Sequence, residues 1–194
     1  MAKSPYDGKS KKQWPGITQQ LLDEHPLEEN EIQDFVLMAW NNIFESSIGR
    51  HALKIGEHIF PKPQIIGALL HELIPAELAA AYPEIWRPEE SSDDKDIVYI
   101  ENNYYSIELK TSSNPRHIFG NRSYAKKTAN DKKGKDGYYL AVNFEKFSKQ
   151  NNRPDILKIR FGWLDHSDWI GQKSSTGQQA RLTPETYKLK FKTL

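Results

Sequence analysis

The apolar positions follow helical spacing in the first half of the chain and form strand-like runs in the second. Residues 28–46 (EENEIQDFVLMAWNNIFES) place Ile32, Phe35, Val36, Ala39, Trp40 and Ile43 at i, i+3 and i+4 steps, the stripe of an amphipathic helix. Its first turn is acidic, as the helix dipole favours. A shorter helix is expected over 17–25, ended by Pro26. Pro61 and Pro63 open a second long helix, 63–81, in which Pro75 is expected to kink or split the pattern. Pro83 and Pro88 bracket a connector. Beyond it, 96–101 (DIVYIE) and 104–111 (YYSIELKT) predict a β-hairpin around Asn102 and Asn103. Residues 112–136 are polar and basic, a loop with a short helix. Two further strands are expected at 137–144 (GYYLAVNF) and 156–163 (ILKIRFGW), then a polar tail at 164–181 and a last strand within 184–192. Helices, then a hairpin, then mixed strands predict an α/β or α+β domain with a central mixed sheet.

Composition narrows the class without naming it. A chain of 194 residues suffices for one domain with a real core. There is no cysteine, so neither a disulfide framework nor a thiolate metal site is available, which suits a reducing cytosol. No segment has the apolar core of a signal peptide or approaches the roughly 18 apolar residues of a membrane span. Net charge is only +1, which argues against a generic nucleic-acid coat. Its distribution is uneven. Residues 1–16 carry four Lys and one Asp (+3), residues 17–101 five basic and seventeen acidic groups (−12), and residues 102–194 eighteen basic and eight acidic groups (+10). A basic second half suggests a face that meets a polyanion; the competing reading is chance clustering of solvated charge.

The chemistry centres on YSIELKTSSN. In strand phase Tyr105, Ile107 and Leu109 share one face, and Ser106, Glu108 and Lys110 the other. An acid-x-Lys triplet alone means little. The chain has four, at Asp7, Asp93, Glu108 and Asp131, and only the one at Glu108 lies inside a predicted strand. That strand follows another beginning with an acid, Asp96. Phosphodiester hydrolysis at neutral pH calls for a hard cation held by carboxylate oxygens, with a water beside it. Two carboxylates and a Lys at one sheet edge would meet that need. The competing reading of Glu108 and Lys110 is a surface ion pair, worth under about 1 kcal/mol.

Asp96, eleven intervening residues and then Glu108-Leu109-Lys110 resembles the PD-(D/E)xK nuclease superfamily. The match departs from the motif at one place, with Lys95 where the superfamily has Pro. A broader set of segments, YDGKSKKQWPGIT, FPKPQI, LLHELIP, KDIVYI, YSIELKTSS and IFGNRSYA, spans residues 6–125 and resembles the small ScaI-type restriction endonucleases. The resemblance implies a restriction-endonuclease-like fold over a single domain, 1–194. It has a basic arm (1–16), a mainly helical part (17–90) and a part with the catalytic sheet and DNA-contacting loops (91–194). Asp96 and Glu108 would hold Mg²⁺, and Lys110 would orient the attacking water and stabilise charge at the phosphate. Glu72, in LLHELIP, is the candidate for an added acid from a preceding helix; its bland alternative is an exposed helix carboxylate. A bacterial cytoplasmic enzyme is implied, acting on double-stranded DNA at a palindromic site as a C2 homodimer, with the helices before the sheet, especially 28–46, as the candidate interface. The site implied is AGTACT, cut blunt to leave a 5′-phosphate, and a companion DNA methyltransferase is the expected genetic partner. Two other readings stay open: a repair or junction-resolving nuclease with the same site, and a DNA-binding module without catalysis.

The hairpin sets a geometric condition. A two-residue turn at Asn102 and Asn103 pairs residues whose numbers sum to 205, which puts Asp96 opposite Leu109 on the wrong face. An odd-length loop, such as Glu101 to Asn103, makes the sum 204 and sets Asp96 opposite Glu108. An odd loop or a bulge is therefore expected.

The following segment, TSSNPRHIFGNRSYAKK, holds Asn114, Arg116, His117, Asn121, Arg122, Ser123, Tyr124, Lys126 and Lys127. Such side chains bond phosphates and base edges, Arg to guanine and Asn to adenine, unless this is simply a solvated basic loop. In the tail, Gln172, Lys173, Ser174, Ser175, Thr176, Gln178, Gln179 and Arg181 form a second recognition loop or a flexible surface loop. Lys9, Lys11 and Lys12 read as a solvated terminus, with a phosphate-gripping arm as the alternative. The six histidines form no HExxH-like set, there is no Gly-rich phosphate loop, and the five tryptophans read as packing groups.

Overall fold

The computed structural model describes residues 4–126, 134–174 and 176–194; Lys127, the Asp131 triplet and Ser175 lie outside them. The chain runs α1 (Trp14–Asp23), α2 (Glu29–Glu45), a small ribbon of β1 (Ser47–Ile48) and β2 (Leu53–Lys54), and α3 (Pro63–Ala81). Then come β3 (Trp86–Pro88), β4 (Ile97–Tyr99), β5 (Ile107–Ser112), β6 (Phe119–Asn121), β7 (Gly137–Phe144) and β8 (Ile156–Leu164). The end of the chain adds β9 (Trp169–Gly171), β10 (Gln179–Leu182), α4 (Pro184–Leu189) and β11 (Phe191–Thr193). The main sheet is six-stranded and mixed, in the order β11-β8-β7-β5-β4-β3. Only β5 and β7 are parallel.

Burial on both sides explains the continuous apolar run GYYLAVNF. Every residue of β7 is buried, as expected of a strand covered on both faces. One face meets α1, α2 and α3 through Leu22, Val36, Ile43, Ile66 and Leu70, which pack with Ile107, Leu109, Tyr138, Leu140 and Val142. The other face carries Tyr139 and Ala141 and packs with Tyr124, Trp169, Ala180 and Leu182. These last four belong to a second, three-stranded sheet, β6-β10-β9, and the turn after its first strand. Glu108 and Lys110 pair with Tyr139 and Ala141 in register, so they lie between the two sheets.

Several expected elements change. Pro75 does not split α3; burial of Ile66, Leu70, Ile74, Pro75 and Leu78 outweighs the one helical bond that Pro removes. By length and composition α3 is also apolar enough to cross a membrane, more than the sequence reading allowed. In the fold it is a core helix with one face on the sheet. The connector between Pro83 and Pro88 contains β3, because Trp86 pairs with Tyr99 and is itself buried. The segment expected to end in a last strand does so as β11, but it opens with a short helix, α4. Thr183 caps that helix, accepting the Thr186 N–H at 3.1 Å, and Pro184 opens it. The polar tail is β9 and β10. The N-terminal segment is no free arm: Tyr6 is buried with its hydroxyl 2.9 Å from that of Thr18, and Lys11 pairs with Glu185 at 2.5 Å.

His25, after α1, is buried against the rings of Trp86, Tyr105, Tyr138 and Phe161. Its Nδ1 accepts the Leu27 N–H at 3.1 Å and its Nε2 meets the Tyr105 carbonyl oxygen at 3.1 Å, a neutral tautomer. Burial lowers its pKa from 6.5 to about 4. The unfolded chain thus binds the extra proton first, and stability falls as pH drops through that window. That lowering corresponds to roughly 3 kcal/mol in the limit. Denaturant unfolding at pH 7.5 and 4.5 should show the loss. A His25→Gln variant should show a smaller difference between the two pH values.

Candidate active site

The hairpin meets its geometric condition. Ile97 pairs with Ile107, so the numbers sum to 204 and Asp96 falls opposite Glu108. Residues 100–106 join the strands, an odd-length loop of seven with a 3-10 turn at Asn103–Tyr105. It is longer than the minimal three-residue loop. Asp96 sits one residue before β4. Its Oδ2 accepts the Leu109 N–H at 2.6 Å, just beyond the short β4 ladder. Its Oδ1 lies 3.5 Å from His71 Nδ1. One carboxylate oxygen is thus fixed to the backbone of β5, and the side chain is 12% exposed.

Glu108 is 2% exposed, and its Oε1 accepts from Lys110 Nζ at 2.7 Å. Lys110 also donates to the Leu109 carbonyl at 2.8 Å and is 12% exposed. That burial excludes a surface ion pair. Taking two charges out of water costs several kcal/mol each, which a purely structural pair recovers only in part; such costs are concentrated at functional sites.

Two further side chains complete the site. Tyr124, in the 3-10 turn Arg122–Ala125, donates its hydroxyl to the same Glu108 Oε1. Burial first, and then the Glu108 carboxylate, pushes its phenol far above the ordinary range, so it acts as a donor at neutral pH. His71 is the residue that α3 presents to Asp96. Glu72, the sequence candidate, is exposed and is not brought to Asp96 or Glu108. One residue turns a helix by about 100°. Gly67 lies against Thr111 on β5, so His71, four residues on, faces the sheet edge and Glu72 turns outward. That phase was readable from the Ile66, Leu70, Ile74 stripe.

The second sheet adds the approach to this site. It pairs Asn121 with Gln179 and Phe119 with Arg181, joining two segments about sixty residues apart in sequence. A cavity of about 280 Å³ runs from Lys110 along Gly120, Asn121, Tyr124 and Gln179. A neighbouring one of about 380 Å³ is bounded by Phe119, Ile170, Lys173, Gln179 and Arg181.

The ScaI restriction endonuclease family matches residues 4–194. The chain is also 52% identical over 181 residues to a protein of Streptomyces caespitosus described as type II restriction enzyme ScaI, covering 92% of this chain and 79% of that enzyme. The chain belongs to the ScaI restriction endonuclease family. No solved structure matches it. As a member of the ScaI family it is a type II site-specific deoxyribonuclease that acts on double-stranded DNA, which sets aside the non-catalytic binding module. Its mixed sheet flanked by helices is the restriction-endonuclease-like arrangement expected from the sequence.

In this ScaI-family chain the candidate DNA-facing residues divide into exposed and engaged groups. Arg116, His117, Asn121, Ser123, Lys126, Lys173, Gln178, Gln179 and Arg181 are exposed. Tyr124 is buried on Glu108. Asn114 uses its side-chain oxygen on the Arg116 and His117 N–H groups, both at 2.9 Å, a local turn. Arg122 donates to the carbonyls of Ser174 and Gly177 and ties the two candidate DNA-contacting segments together. Two residues missed by sequence reading anchor the loop at 114–118. Asn143 donates to the Asn114 and His117 carbonyls at 2.6 and 3.0 Å, and Arg160 to the Arg116 carbonyl at 3.1 Å. Asn143 inside the otherwise apolar run of β7, and a buried Arg160 in β8, were the available signal.

Proposed function

We propose that this enzyme is a Mg²⁺-dependent endonuclease that cuts both strands of a palindromic duplex site, with Asp96, Glu108 and Lys110 as its catalytic group. The observation that carries the reading is the placement of two carboxylates and a lysine on β5 and just before β4, beside a second sheet and adjoining loops that expose Arg116, Asn121, Lys173, Gln179 and Arg181. The donors fit a hard divalent cation, since Asp96 and Glu108 offer carboxylate oxygens and no thiolate is present. Mg²⁺ commonly takes one or two protein carboxylates and completes its shell with water and phosphate, so two are enough. When bound, the cation lowers the pKa of nearby water and offsets charge on the phosphate. Lys110 orients the attacking water and stabilises charge as it develops on the phosphate oxygens. Water adds to phosphorus, the bond to the 3′ oxygen breaks, and a 5′-phosphate and a 3′-hydroxyl are left.

Family membership points to AGTACT, cut blunt, as the site. A palindrome calls for a C2 dimer with one active site per strand. The exposed Leu37 and Met38 on α2 are apolar surface available for that contact. The cytoplasm of a bacterium and a companion methyltransferase that protects host DNA complete the biological setting.

Digestion of a long duplex of known sequence tests the proposal. Discrete fragments are expected with Mg²⁺ and none with EDTA or Ca²⁺, with blunt ends mapping within AGTACT. Fragments ending elsewhere would reassign the site. Unchanged digestion in EDTA would remove the metal from the reading, and products independent of sequence would favour a repair-type activity.

A further inference from the structure

Tyr124 belongs to two structures at once. Its ring is part of the second sheet's core, packed edge-on against Trp169 of β9 with centroids 5.2 Å apart. The backbone of Gly120 in β6 lies directly under it: a Cβ added there would be 3.1 Å from Tyr124 Cγ and 3.2 Å from Trp169 Cζ3. Lys135 Nζ and Lys110 Nζ lie 4.3 and 4.9 Å from the ring centroid. Its hydroxyl, in contrast, bonds Glu108 on the main sheet. Glu108 Oε1 therefore receives one donor from its own strand, Lys110, and one from the DNA-facing sheet.

A tyrosine ring is rigid, with two side-chain torsions, and here it is enclosed. A displacement of β6, β9 or β10 moves the hydroxyl, and the hydroxyl moves the carboxylate. We propose that Tyr124 is a positioning residue that makes the placement of Glu108 depend on how the second sheet seats on DNA, and so helps to determine specificity at the chemical step. The proposal rests on the reading of Glu108 as a catalytic residue. With the hydroxyl present, a mismatched duplex that seats the sheet imperfectly also misplaces Glu108 and is cut slowly. Without it, the link from the second sheet to Glu108 Oε1 through the Tyr124 hydroxyl is lost, and the carboxylate senses the sheet less.

Two variants test this. Tyr124→Phe keeps the ring and removes the hydroxyl. Gly120→Ala keeps the hydroxyl and pushes on the ring from below. Each is assayed by single-turnover cleavage of the mapped cognate site and of a duplex with one base pair changed, alongside binding in Ca²⁺ and thermal unfolding. Tyr124→Phe is expected to slow cognate cleavage about tenfold, the scale of one hydrogen bond lost at a reacting group. Binding should stay within about twofold, and cognate-to-mismatch discrimination should fall about tenfold. Gly120→Ala should shift discrimination in the same direction, and it carries the test if Tyr124→Phe fails to fold. Discrimination equal to wild type in a folded variant, whether the rates fall together or not at all, would overturn the proposal. Glu108→Gln is run in parallel: wild-type cleavage by that variant would show that the catalytic reading itself had failed, a different result from unchanged discrimination in Tyr124→Phe.

Discussion

Glu108→Gln is expected to lose cleavage by about a thousandfold or more while still binding duplex DNA in Ca²⁺. The substitution keeps the shape and the oxygen that receives Tyr124 and Lys110, and removes the negative charge that a cation requires. Because Glu108 is nearly fully buried beside Lys110, the variant leaves a lysine without its counter-charge, and a modest drop in thermal stability accompanies the change. Affinity for DNA should hold or rise, since a carboxylate is removed from the neighbourhood of a phosphate. Lys110→Ala should lose cleavage by about a hundredfold or more by removing the donor that stabilises charge at phosphorus. Single-turnover rates and Ca²⁺ binding isotherms check both. Cleavage within tenfold of wild type by Glu108→Gln would assign the buried pair to structure.

The second large effect is on stability. Lys190 is 2% exposed, and its ammonium reaches Asp165 Oδ2 at 2.7 Å and Asp168 Oδ2 at 2.8 Å. It also lies over the rings of Tyr6 and Trp14, 4.2 and 4.6 Å from their centroids. One side chain thus joins the start of the chain, the turn after β8 and the end of α4. Burial pushes the Asp168 carboxyl up, and Lys190 pulls it back. Lys190→Ala leaves two buried carboxylates without their cation, at a cost of about 3–5 kcal/mol, or roughly 10 °C in Tm for a chain of this size. Protonation relieves a buried carboxylate that has lost its cation, so the Asp168 carboxyl, already pushed up by burial, rises further above its unfolded value. The deficit against wild type is then full at neutral pH and shrinks as pH falls. Unfolding at pH 7.5 and 5 measures this. A triple variant, Lys190→Met with Asp165→Asn and Asp168→Asn, removes all three charges and should lose less than Lys190→Ala alone.

Much of this enzyme can be read from local pattern. The stripe from Ile32 to Ile43 specifies α2 because helix burial is periodic. GYYLAVNF specifies a strand because a continuous β-rich run belongs between two covered faces. Asp96 and Glu108-Leu109-Lys110 are the candidate site because hydrolysis of a phosphodiester calls for such groups, and their spacing across a hairpin brings them to the same two strands. The register argument succeeded because side chains alternate strictly, leaving only an odd connection or a bulge able to align Asp96 with Glu108. What local pattern did not contain was partnership across distance. Gln179 and Arg181 form a strand because Asn121 and Phe119 lie opposite them, a pairing with no marker in either segment. His71 replaces Glu72 at the site because α3 settles on the sheet in a phase chosen by its whole buried face. Tyr124 turns from a surface contact into a partner of Glu108 because the second sheet folds over the first. The sequence by itself determined the candidate catalytic groups and most of the elements that carry them, through periodicity and chemical need. Only the tertiary structure decided which groups surround them, because packing two sheets face to face is a choice made by the whole core.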